Sequence, residues 1–77
     1  MKKQEIINIL NEKMNDKQGK TFGVYHININ DIWMWFSRYE ITEQDFGTYL
    51  TLYYKSSFHN TETDIAEILL INIVSIR

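Results

Sequence analysis

Seventy-seven residues with no cysteine and two histidines leave room for one domain, 1–77, and offer neither a disulfide framework nor a histidine-built structural metal. The net charge of −2 hides a segregation. Residues 1–20 carry five lysines against Glu5, Glu12 and Asp16, and residues 21–77 carry Arg38, Lys55 and Arg77 against seven carboxylates. A balance of +2 followed by −4 argues against the basic stripe of a nucleic-acid binder and falls short of the dense acidic field of a DNA mimic.

Met1-Lys2-Lys3 opens like a secretion signal, but Glu5, Asn8 and Asn11 interrupt any hydrophobic stretch. The longest apolar run, 68–76, contains Asn72 and Ser75 and is far shorter than the roughly 20 residues of a membrane helix. These features predict a soluble, cytoplasmic protein with no membrane association.

Residues 3–15 place Ile6, Ile7, Leu10 and Met14 at helical spacing and predict an amphipathic helix. A loop follows over 15–23, punctuated by Gly19 and Gly23. Tyr25, Ile27 and Ile29 then alternate with His26, Asn28 and Asn30, the period of a half-buried strand within an extended segment near 21–29.

From Asn30 onward the pattern predicts helices. Asn30 is a good N-cap, and Ile29 with Met34 has the spacing of a hydrophobic staple. Ile32, Trp35, Phe36 and Tyr39 continue at i, i+3, i+4, i+7. Thr42 repeats the capping device with Ile41, Phe46 and Asp45, ahead of a stripe of Phe46, Tyr49, Leu50, Tyr53 and Tyr54. Against this, Gly47 is a poor helix residue, and the β-rich run 48–54 keeps a strand reading open. Thr61 or Thr63 can cap a last helix from Glu62, apolar nearly all round. The expected fold is mainly α, a small single domain of about four helices with an extended segment near 21–29. The alternative is α+β, with a small sheet formed by 21–29 and the C-terminal segment.

No motif specifies a reaction. Gly19-Lys20-Thr21 ends like a phosphate-binding loop, but Met14 stands where the first glycine belongs. His59 with Glu62 and Asp64 gives too few convergent ligands for a firm metal site, and His26 fits the exposed face of a strand. Glu40, Glu43 and Asp45 fit a solvated helix start better than a paired-carboxylate catalyst. Ser37, Ser56, Ser57 and Ser75 lack a local base. No catalytic residue, metal ligand or cofactor is expected, and the chain reads as a non-enzyme.

Aromatic crowding is the strongest functional signal. Nine of the eleven aromatic residues fall between Trp33 and Phe58, too many for one buried face. On the predicted helices Trp33, Met34 and Leu52 point away from the inward stripe and form a candidate apolar patch, rimmed by Arg38, Glu40, Glu43 and Asp45. Trp33, Trp35 or Tyr39 would fill a partner's pocket while the carboxylates meet basic groups.

The expected function is a small protein–protein interaction module, an inhibitor or regulator that occludes a larger protein. Inhibitors encoded by phages and other mobile elements, anti-defence proteins among them, share this character, as do regulatory subunits and antitoxins. Two alternatives follow from the predicted helices. One is a helix-turn-helix DNA-binding regulator built on Glu40-Ile41-Thr42, although its recognition helix would open with two carboxylates. The other is a homo-oligomer that the patch serves, suggested by the near-uniformly apolar last helix, with function elsewhere.

Overall fold

The computed structural model describes residues 2–15, 23–55 and 61–77. Helix α1 (Lys3–Asn15) forms where the spacing predicts it, with Glu5 in its first turn and Lys13 in its last, both favourable to the helix dipole. Ile6 and Leu10 are fully buried, and Ile9 and Met14 pack beside them. Most of the remaining described chain is extended.

Strands β1 (Tyr25–Ile29) and β2 (Ile32–Phe36) form an antiparallel hairpin in which Ile29 faces Ile32. Only Asn30 and Asp31 connect them, with φ of 53° and 67°. Two successive positive φ angles define a type I′ turn, whose twist suits a hairpin and whose residues are typically Asn, Asp or Gly. The Asp31 N–H donates to Asn28 Oδ1 at 3.1 Å and helps close the turn.

Strands β3 (Arg38–Gln44), β4 (Gly47–Lys55) and β5 (Glu62–Leu69) form a second antiparallel sheet in that order. Ser37 carries the chain between sheets. Its N–H donates to the Tyr53 carbonyl at 2.6 Å, and its Oγ accepts from the Lys55 N–H at 2.9 Å. A 3-10 turn, Leu70–Asn72, follows β5, and the last residues return along the free side of β1. There Asn28 and Arg77 exchange backbone bonds of 3.0 and 2.9 Å, and the Asn30 N–H donates to the Ser75 carbonyl at 3.0 Å. The Asn30 side chain adds three more bonds. Its Nδ2 donates to the Asn72 carbonyl at 2.8 Å, and its Oδ1 accepts from the Val74 and Ser75 N–H groups at 2.7 and 3.2 Å.

Register assigns the faces. Tyr39 pairs with Leu52, Ile41 with Leu50, and these two leucines with Ala66 and Ile68, so one face of the second sheet is apolar. Helix α1 lies on this face: the Tyr39 hydroxyl donates to Asn11 Oδ1 at 2.8 Å, and Lys3 Nζ stands 3.6 Å from Glu43. Ile6, Leu10, Leu50 and Leu52 share one core with Ile27, Ile29 and Phe36 from the hairpin and with Leu70, Ile73 and Ile76.

Most of the helical expectation is therefore corrected: five strands and one α-helix replace four helices. Asn30 caps no helix and occupies the turn, and Ile29 and Met34 form no staple. Thr42 lies within β3, and Asp45-Phe46 is the turn into β4. The run 48–54 is strand, and the expected last helix is β5, a 3-10 turn and an extended end. The dense aromatic and β-branched runs fit a period of two as well as one of 3.6, and in this β-favouring composition the pleated pairing prevails. The pairing of 21–29 with the C-terminal residues is present at Asn28 and Ile29, as the margin of a β-rich chain. Most of the expected loop 15–23 lies outside the described residues.

Asn30→Gly keeps a residue that tolerates positive φ and removes the three side-chain bonds. We expect a loss of about 1–3 kcal/mol in urea unfolding with little change in slope. Gly47 has φ of 138°, and a Cβ there would lie 2.9 Å from Leu69 Cδ1. Gly47→Ala should cost about 1–3 kcal/mol in the same assay, since it adds backbone strain to this contact.

Candidate functional site

The β1–β2 hairpin buries its inner face, and on its outer face Asn28, opposite Trp33, is buried as well. Ile27, Ile29 and Phe36 enter the core, and Met34 packs against it half-buried. The period of two sends Trp33 and Trp35 to the other face, where register sets Trp35 opposite His26. The imidazole stacks on Trp35 with centroids 4.2 Å apart and planes 9° apart, and lies 4.4 Å from Trp33 at 34°. Trp33 and Trp35 remain 53% and 50% exposed. Cross-strand ring pairs stabilise a hairpin by about 0.2–1 kcal/mol each, so this row of rings has a structural role. That role does not require the exposed half of each indole.

The outer face of the second sheet is polar. Arg38 makes a two-pronged contact with Glu62, Nε to Oε2 at 2.8 Å and Nη2 to Oε1 at 2.6 Å. Its Nη1 donates to Glu40 Oε1 at 2.7 Å, and its guanidinium carbon sits 4.0 Å from the centre of the Tyr53 ring. The Tyr53 hydroxyl donates to Glu40 Oε2 at 3.0 Å. This network ties all three strands together across the sheet. The hydrogen bond from Arg38 holds Glu62 below the usual carboxylate range, and bonds from Arg38 and then Tyr53 do the same for Glu40. Tyr53 is raised, chiefly by its bond to Glu40, and Arg38 is raised by its bonds to Glu62 and Glu40. Because Arg38 is engaged by two carboxylates, it acts as a clamp rather than as a free anion receptor.

The predicted site residues are dispersed. Trp33 is exposed, but Met34 points from the opposite face of β2 into the core, and Leu52 is 0% exposed beside α1. The patch of Trp33, Met34 and Leu52 does not form. Arg38 and Glu40 belong to the clamp. Glu43 is exposed on the opposite sheet face near Lys3, and Asp45 is exposed in the β3–β4 turn beside Phe46. Glu40, Glu43 and Asp45 thus do not converge, and they flank no helix start. Trp35, expected to face inward, faces out. His26 lies on the exposed strand face as its alternation predicts, but its stacking partners depended on recognising β2.

Among the described residues no group of three or more His, Asp or Glu is placed to hold a metal ion. His59 and the Gly19-Lys20-Thr21 stretch lie outside the described residues. No helix among the described residues is long and apolar enough to cross a membrane. No family model, curated protein or solved structure matches the chain.

The clamp predicts the acid response. Glu40 and Glu62 titrate lower in the folded chain, so their stabilisation is present above the unfolded carboxylate value near 4.5 and is lost as pH falls through the lowered values. Thermal melts below pH 4.5 should show a smaller acid-induced drop in Glu40→Gln/Glu62→Gln than in wild type, from a lower starting Tm. Solvent screening of these exposed groups keeps the effect small.

Proposed function

We propose that this chain is a non-enzymatic interaction protein that binds a larger protein through its Trp33–His26–Trp35 face and occludes a surface there, as an inhibitor or regulator does. One observation carries the reading: two indoles, each about half exposed, stand together on one face of a hairpin whose other face is core. Tryptophan brings large contact area at low entropic cost and is enriched among residues that dominate binding energy. The hairpin holds both rings before any partner arrives, which lowers the ordering cost of association. The clamp lies on the other sheet and is internally satisfied, so it supports the scaffold rather than the contact. This small size suits inhibitors of the kind phages and other mobile elements encode.

The helix-turn-helix alternative is not carried forward, because residues 40–42 lie within β3. The apolar last helix that motivated a homo-oligomer is likewise absent.

The test is a pull-down from a source-cell lysate with wild type and Trp33→Thr/Trp35→Thr, threonine being chosen to keep the strand preference. The expected result is a stoichiometric partner captured by wild type and lost by the variant, while both show the same circular dichroism and Phe46→Ser retains the partner. A partner that ignores the double substitution would refute the assignment. A dimer in light scattering that disappears in the variant would reassign the face to self-association.

A further inference from the structure

Among the described residues β5 is an outer strand: the sheet order is β3-β4-β5, and no strand pairs with its far side. A strand edge presents backbone N–H and C=O groups that can take up another strand. Proteins commonly blunt such edges with lysine, proline or a covering element. The sequence of β5, Glu62-Thr63-Asp64-Ile65-Ala66-Glu67-Ile68-Leu69, has neither lysine nor proline, and residues 62–65 and Glu67 are exposed. Its deterrents to pairing are the irregularity opposite Leu52 and Tyr53, which leaves Ile65 outside the register, and its carboxylates.

Those carboxylates discriminate between incoming strands. In an antiparallel pair of two copies centred on Asp64, that residue meets itself. Centred between Asp64 and Ile65, the pair sets each Glu62 against a Glu67. Like charges directly opposite are unfavourable, so these two registers are disfavoured for a second copy, whereas registers centred on Ile65 or Ala66 set no two carboxylates opposite. A cationic strand meets the reverse situation. Asp64 and Glu67 share the outer face through their partners Tyr53 and Thr51, so lysine or arginine at alternate positions of an added strand would lie beside both. Glu62, already bound by Arg38, contributes less.

We infer that β5 is a docking edge for a basic extended segment of another protein, added as a fourth strand with its cationic side chains beside Asp64 and Glu67. Main-chain bonds supply the affinity of such strand addition, and side-chain positions supply the selectivity. The surface is separate from the aromatic face, and the inference does not rest on the aromatic reading.

The experiment titrates the full, isotope-labelled chain with two short peptides of equal length, one alternating lysine with valine and the other glutamate with valine, read by amide NMR shifts and hydrogen exchange. The lysine peptide should shift and protect amides of Glu62–Leu69, and the glutamate peptide should not. Asp64→Asn/Glu67→Gln, which keeps shape and removes charge, should weaken the lysine peptide about tenfold, and added salt should weaken it similarly. Trp33→Thr/Trp35→Thr should respond as wild type, which separates failure here from failure of the aromatic assignment. The inference falls if the lysine peptide leaves β5 unchanged, if both peptides act alike, or if the response lies outside β5. It falls equally if β5 shifts with protein concentration alone, which would mean self-pairing.

Discussion

The turn at Asn30 and Asp31 sets the register on which both the core and the exposed surface depend. With two residues between Ile29 and Ile32, Ile27 and Ile29 share the inner face with Met34 and Phe36, and His26 shares the outer face with the two tryptophans. A slip of one residue would reverse every side chain of β2, bringing Trp33 and Trp35 inward and exposing Phe36. The same asparagine holds the returning C-terminal segment through three side-chain bonds, which brings Ile73 and Ile76 to the core beside β1. Hairpin register and chain closure thus meet at one residue.

With no cysteine to form a disulfide, stability rests on one apolar layer shared by α1, the hairpin and the second sheet. Each sheet contributes one face to that layer. The two outer faces are chemically different: one bears a row of rings, and the other bears an ion network across β3, β4 and β5. Exposed ion pairs contribute modestly, so the Arg38 clamp gives register specificity across three strands more than it gives raw stability. Its value lies in geometry: the planar guanidinium spans from β3 to β5 while lying over a ring of β4, which a lysine could not reproduce.

Helix α1 is readable from the sequence because Ile6–Leu10–Met14 shows a single period, whereas Tyr25–Ile27–Ile29 shows the period of a strand but names no pairing partner, which leaves an extended arm equally open. The tryptophan-rich segment was not readable, because Ile32, Trp35, Phe36 and Tyr39 satisfy helical spacing while Trp33 and Trp35 alternate with Met34 and Phe36. Asn30 added to the ambiguity: the short polar side chain that suits it to an N-cap also suits it to positive φ. Clearer signals lay further on. Tyr39 and Ile41 alternate with Arg38, Glu40 and Thr42, and Leu50 and Leu52 alternate with Tyr49, Thr51 and Tyr53. Taken as strands, these segments place Leu52 inside. On the helical reading, rotation about the axis placed it on the surface. Trp33 was read as exposed on either period, whereas Trp35 and the stacking of His26 required the correct one.

The exposed halves of the two indoles also limit what the aromatic face can do unaided. A tryptophan buries roughly 150–250 Å² in full, so two half-exposed rings offer about 150–250 Å² to a partner. At ~25 cal/mol per Å² that corresponds to about 4–6 kcal/mol. Association costs an estimated 4–15 kcal/mol or more in lost freedom, so the rings can anchor a complex but cannot hold a tight one alone. A stable interface of standard size covers about 800 Å² on each side, several times this area. A partner held firmly at Trp33 and Trp35 must therefore extend beyond the rings onto their surroundings.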